Sequence, residues 1–108
     1  MWLVLDGDVL ATAEVARDPR DRRRGLLGRD AFEGAFVIRH CRNVHTFGMR
    51  FPIDVAFCDV AGTVLRTYTL APWRVSPVVW RAAFAVEATA GAFERWRLAP
   101  GDSVELRG

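Results

Sequence analysis

Along most of the chain, apolar and polar positions alternate at period two in short runs, the spacing expected of strands with one face turned inward. Trp2 to Leu5 and Val9 to Val15 are two such runs, on either side of Asp6-Gly7-Asp8. Asp-Gly supplies the positive-φ positions that a tight hairpin needs. Ala35 to His40 reads as a third strand. Ile53 to Cys58 and Thr63 to Leu70, separated by Asp59-Val60-Ala61-Gly62, form a second predicted hairpin. Ala83 to Thr89 and Ser103 to Leu106 complete the set, the latter entered through the turn-forming Pro100-Gly101-Asp102. Two segments break the period. Asp18 followed by Pro19 is a helix start and Gly28 a stop, so Pro19 to Leu27 is predicted helical, and Ala92 to Arg97 after Gly91 is a shorter candidate. Between them, Ala71 to Arg81 carries Pro72, Pro77, Trp73 and Trp80. It reads as a long loop whose tryptophans are expected to lid the core, with a partner surface as the alternative.

Strands with one or two short helices, in 108 residues, predict a single domain over 1–108 that is mainly β. The form expected is a small β-sandwich or a partly closed barrel. Composition agrees with a packed core: 51% of residues are hydrophobic and 26% charged, which excludes a disordered chain. No apolar run approaches the ~20 residues of a membrane helix. All 15 basic residues are arginine, so lysine-based Schiff-base or general-base chemistry is excluded. The net charge of +2 is a weak pointer to anionic partners. The N-terminal run reads as a strand and not as a signal peptide, which makes the cytoplasm the default expectation and keeps Cys41 and Cys58 reduced.

Candidate chemistry is concentrated in a few places. Arg17, Arg20, Arg22, Arg23, Arg24 and Arg29 cluster in one stretch, interleaved with Asp18, Asp21 and Asp30. Arginine forks suit phosphate oxygens, but interleaved acids are the mark of a solvated helix, so nucleic-acid binding is the less favoured reading. Gly25-Leu26-Leu27-Gly28 has the spacing of a nucleotide-clamping Gly-x-x-Gly loop, yet its leucines prefer the core. His40, Cys41 and His45 lie close in sequence with Cys58 further on, but their spacing is irregular for zinc, and no metal or cofactor is expected. A nucleophilic Cys41 helped by a histidine stays open. No Gly-x-Ser-x-Gly elbow, P-loop or dinucleotide fingerprint is present. Ile53, Val55 and Phe57 share one strand face, which sends Asp54 to the other with Ala56 and Cys58. An acid on so apolar a strand needs a partner. His45, Thr46 and Arg50 are the nearest in sequence, with backbone groups of the loop Thr46 to Pro52 as the alternative.

Arg24-Gly25-Leu26-Leu27-Gly28-Arg29, His45-Thr46-Phe47-Gly48-Met49-Arg50 and Pro52-Ile53-Asp54-Val55-Ala56-Phe57 follow one another at spacings that, with Val86-Glu87-Ala88 and Leu98 to Val104, span nearly the whole chain. In these pieces the sequence resembles the prokaryotic family called domain of unknown function 192. The resemblance implies a compact, mainly β domain and no established activity. Many relatives look exported. The central motif has Phe47-Gly48-Met49 where the commoner form has an aromatic residue, Trp and Met.

These features predict a non-catalytic binding or accessory module, with a pocket lined by His45, Thr46, Met49 and Asp54 and polar contributions from Arg24 and Glu87. The expected partner is a small molecule or a protein. The alternatives are a hydrolase-like enzyme with His45 as base and Asp54 as its orienter, and an arginine-rich nucleic-acid binder through Arg17 to Arg29.

Overall fold

The computed structural model describes all residues 1–108. In chain order the elements are β1 (Trp2–Leu5), β2 (Asp8–Val15), α1 (Pro19–Arg24), β3 (Ala35–Arg39), β4 (Ile53–Cys58), β5 (Val64–Leu70), β6 (Phe84–Thr89), α2 (Ala92–Trp96) and β7 (Val104–Arg107). The strands form one sheet in the order β5-β4-β6-β3-β2-β1-β7. All neighbours are antiparallel except β2 and β3, which run parallel, and α1 lies in the crossover that such a pair requires. The sheet is not closed into a barrel. Its ends meet at the bridge Thr63↔Ser103, beside which the Gly101 amide donates to the Val64 carbonyl at 2.8 Å.

The hairpin at Asp6 and Gly7 forms as the sequence indicates, with φ of 50° and 83° and Leu5 paired with Asp8. The turn before β5 is held by Asp59, whose Oδ1 accepts from the amides of Ala61 and Thr63. Gly62 in this turn runs against β7: its carbonyl accepts from the Val104 amide at 2.9 Å, and a Cβ there would stand 2.2 Å from the Val104 carbonyl oxygen. Its φ of +88° adds to the cost of any side chain. Gly62→Ala is therefore expected to lose roughly 3 kcal/mol or more, because the clash forces the two end strands apart. Urea denaturation would measure this, and an unchanged midpoint would mean that the sheet ends are not joined there.

Strands β3, β4 and β6 are buried on both faces, and their alternation divides the core in two. Ala35, Val37, Ala56, Cys58, Val86 and Ala88 join Leu3, Phe93 and Leu98 on the face covered by α2. Phe36, Ile38, Ile53, Val55, Phe57 and Ala85 join Leu26, Val44 and Met49 on the other, which is covered by loops. Ile53, Val55 and Phe57 thus share a face as the pattern requires.

Two expectations are corrected. The first helix ends at Arg24 and not at Leu27: Gly25 takes φ 52° and ψ −128°, which turns Leu26 into the core, whereas none of the helical residues is buried. Continuing the helix would forfeit that burial, about 2 kcal/mol for a leucine. Nor do the tryptophans lid the core. Trp73 is 64% exposed and Trp80 75%. The loop is pinned by buried Thr46 instead, whose Oγ1 donates to the Ala71 carbonyl at 2.7 Å and accepts from the Arg74 amide at 2.8 Å. Its main chain exchanges further bonds with Trp73 and Arg74. No helix is long and apolar enough to cross a membrane.

Candidate functional site

The loop-covered face of the sheet opens into a cleft of about 490 Å³ between α1 with the turn that follows it and the segment 40–49. Leu26, Ile38, Val44 and Met49 give it an apolar wall, His40, Asn43 and His45 border it as well, and its mouth carries Arg22, Arg23, Arg24 and Arg42. At the floor lies Glu87. Its position at the centre of β6, opposite Phe36 of β3 and Val55 of β4, sends the side chain to the same face as those two residues. The residue is 3% exposed, and its Oε1 has no hydrogen-bond partner. Burial alone pushes the carboxyl up to about 7. Gly25 packs directly over it: a Cβ there would stand 3.4 Å from Oε1, so the turn that ends α1 borders the acid with main chain alone.

Cys41 lines the same cleft. Burial first, and the negative field of Glu87 second, push its thiol up to about 11. Its Sγ donates to the Asn43 carbonyl at 3.2 Å. Burial similarly pushes Cys58 up to about 12. A thiol held so far above neutrality is protonated at physiological pH and is a poor nucleophile, which removes the ground for an activated Cys41. His45 stands at the mouth, exposed, with its ring stacked on Phe47 at 5.1 Å between centroids, and Phe47 leans in turn on Trp73 at 6.2 Å. His40, Cys41, His45 and Glu87 all border the cleft, but no three metal-ligating side chains converge there or elsewhere.

Of the six residues expected to form the pocket, the fold brings four together: Arg24, His45, Met49 and Glu87. Thr46 is fully buried and spent on the loop 71–74. Asp54 is on the opposite face of the sheet and borders a separate hollow with Thr69, Gly91 and Phe93. Its Oδ1 accepts from Thr69 Oγ1 at 2.7 Å, and its Oδ2 from the amides of Gly91 at 2.9 Å and Phe93 at 3.2 Å. The shared His45–Asp54 pocket on which the hydrolase alternative depends is thus not formed. Asp54 does not pin the loop Thr46 to Pro52 either. It caps the start of α2, whose own N-cap residue, Gly91, has no side chain to do so.

The arginine cluster is likewise divided. Arg29 pairs with Glu14 at 2.6 Å and covers the rings of Phe32 and Phe36, while Arg17 lies beside Asp21. Arg24 Nε donates to the Leu27 carbonyl at 3.2 Å. Among Arg22, Arg23, Arg24 and Arg42 there is no ion pair with any carboxylate. The contributions of Gly25, Ile38 and Cys41 to the cleft were not anticipated. The signal that could have raised Glu87 above Asp54 was an acid in the middle of a strand whose neighbours on both sides are small and apolar.

Set beside known proteins, residues 3–106 match the family model DUF192, described as Uncharacterized ACR. A UPF0127 protein of Pyrococcus abyssi (strain GE5 / Orsay) is 34% identical over 70 residues, which is 65% of this chain and 60% of that protein. The chain therefore spans about 60% of the curated relative it matches. Two crystal structures resemble the fold. A protein of unknown function from Novosphingobium aromaticivorans DSM 12444 superposes with a TM-score of 0.78 at 20% identity, over 87% of this chain and 74% of that one. A protein from Sinorhizobium meliloti 1021, described as a candidate transcription regulator, gives a TM-score of 0.79 at 25% identity, over 96% and 89%.

Proposed function

Since the chain belongs to the DUF192 family, which carries no assigned activity, its own geometry is the guide, and we propose that it is a non-catalytic binding module that holds a small molecule in the cleft above Glu87. The observation that carries this reading is the buried, unpartnered carboxyl oxygen at the cleft floor. A buried polar atom left without a partner costs on the order of 1–3 kcal/mol, a cost that a bound molecule could offset. A concave site with an apolar wall and convergent polar groups is the ordinary make-up of a ligand site, and the volume lies in the usual range.

Cys41, the thiol that lines the cleft, is pushed up to about 11 by burial and by Glu87 and is a poor nucleophile, so the reading is one of binding. The discriminating experiment is a thermal-shift screen against a metabolite panel, followed by amide chemical-shift mapping of each hit. A ligand present at a hundred times its Kd should stabilise the fold by about 2.7 kcal/mol. The shifted amides should fall in residues 22–27, 38–49 and 87. No hit from the panel, or hits that map to the Asp54 hollow, would remove the proposal. Conversion of the ligand on prolonged incubation would overturn its non-catalytic part.

A further inference from the structure

The cleft is chemically graded from mouth to floor, and the gradation constrains what can fill it. Resting on the reading of this cleft as a binding site, we infer that its ligand is a small organic anion: an oxyanion head, phosphate or carboxylate, sits among Arg22, Arg23 and Arg42, an apolar body follows, and an uncharged hydrogen-bond acceptor reaches the Glu87 carboxyl.

The head is assigned by charge. The guanidiniums bordering the mouth have no carboxylate partner, although acids are plentiful nearby. Asp18 and Asp21 are turned away to the amides of Asp21 and Arg17 at the start of α1. A cationic head would meet like charges, whereas an oxyanion gains charge-assisted and bidentate hydrogen bonds. The body is assigned by the apolar part of the wall, Leu26, Ile38, Val44 and Met49, while His40, Asn43 and His45 also border the cleft.

The far end is assigned by Glu87. The elements packed around its side chain present Phe36 and Ile38 from β3, Val55 from β4, Gly25 and Leu26 from the turn after α1, and Cys41 from the loop after β3. Of these only Cys41 is titratable, and it is held as a neutral thiol. Burial is the cause of the raised carboxyl value, and none of the mouth arginines forms an ion pair with Glu87. A carboxyl in that setting favours its neutral form, which donates a hydrogen bond. The ligand must therefore separate its charge from its acceptor along its length.

Three commercially simple probes test this: 4-acetylphenyl phosphate, which has all three parts; phenyl phosphate, which lacks the acceptor; and 4-acetylbenzylamine, which reverses the charge of the head. Amide chemical-shift titration of the intact protein at pH 6.5 is the readout. The first probe should bind in the cleft and the second about tenfold more weakly, the factor that ~1.4 kcal/mol represents. The amine should leave the cleft amides unmoved. Arg22→Ala with Arg23→Ala should weaken the first probe about tenfold or more, and raising the salt should do so too.

The Glu87→Gln variant, which is neutral at every pH, isolates the floor. The affinity ratio of wild type to variant should fall as pH rises above about 7, approaching tenfold per pH unit, because the free protein must recover a proton before it can donate. The titration of the phosphate is common to both proteins and cancels in that ratio, and Cys41, held up at about 11 by burial and by Glu87, stays protonated over the range. Preferential binding of the amine, equal binding of the two phosphates, or a pH-independent ratio would overturn the inference. If all three probes fail while panel molecules of another class shift the cleft amides, the ligand class is wrong and the binding reading survives. If nothing shifts them, both fall.

Discussion

Glu87→Gln should stabilise this protein at pH 8 by of the order of 3 kcal/mol and leave its stability near pH 4 unchanged. The effect follows from a carboxyl that burial pushes from 4.5 up to about 7, each pH unit of difference representing about 1.4 kcal/mol. Below the ordinary carboxyl range the group is protonated in both the folded and unfolded chain and contributes nothing. As pH rises from about 4.5 towards 7, the unfolded chain loses the proton while the folded chain keeps it, so stability falls. Above about 7 both forms are ionised and the penalty is constant. Glutamine never ionises and escapes the penalty throughout. For a domain of this size the gain corresponds to a rise in Tm of roughly 10 °C or more. Urea denaturation of both proteins between pH 4 and pH 8.5 is the measurement. Parallel curves would show that Glu87 is not held neutral by its surroundings, and the cleft would lose its defining polar group.

Asp54→Ala is the second large effect, of opposite sign and on the other face of the sheet. The carboxylate accepts three hydrogen bonds, from Thr69 Oγ1 and from the amides of Gly91 and Phe93. Truncation leaves those amides unpaired at the start of α2, where Phe93 is buried. Bonds to a charged acceptor contribute about 1.5–3 kcal/mol each before neighbouring groups relax, so a loss of roughly 3–4 kcal/mol is expected. Asp54→Asn keeps the shape and one acceptor oxygen and should cost about half as much, in line with the ordinary range for a helix cap. Amide exchange at Gly91 and Phe93 should accelerate in both variants. An Asp54→Ala protein as stable as the wild type would show that α2 is not anchored through β4. Because Asp54 lies outside the cleft, both variants should keep whatever ligand response the wild type has.

Glu87 and Asp54 show where reading the chain succeeded and where it did not. Both are acids inside apolar strands, but the pattern singles out only Asp54 for that reason, and Glu87 enters only as a polar contributor. Period-two alternation was enough to put Asp54 on the face opposite Ile53, Val55 and Phe57, because side-chain direction in a strand follows from position alone. It was not enough to choose the partner. His45 is nine positions from Asp54 in sequence but on the far side of the sheet, while Gly91 is separated from it by 37 and bonds it directly. The β4–β6 pairing decides that outcome by placing Asp54 opposite Ala88, just before the turn to α2. Thr46, expected in the pocket, lies outside the cleft for the same reason, since its partners at 71–74 come from a loop whose path only packing defines. The tryptophans of that loop were misread because size and apolarity favour burial on average, whereas a loop already secured by main-chain bonds has no need of them.

What the sequence determined by itself was local: the strands from their alternation, the hairpin at Asp6-Gly7 from its turn residues, the starts of both helices, and the mainly β class. Each of these depends on the conformational preference or spacing of neighbours, which is written in consecutive residues. What only the tertiary structure decided was the strand order, the meeting of the sheet ends at Gly62, and which acid ends in a cleft and which in a cap. Those outcomes depend on contacts between residues tens of positions apart, and a periodic pattern specifies a face without specifying what will cover it.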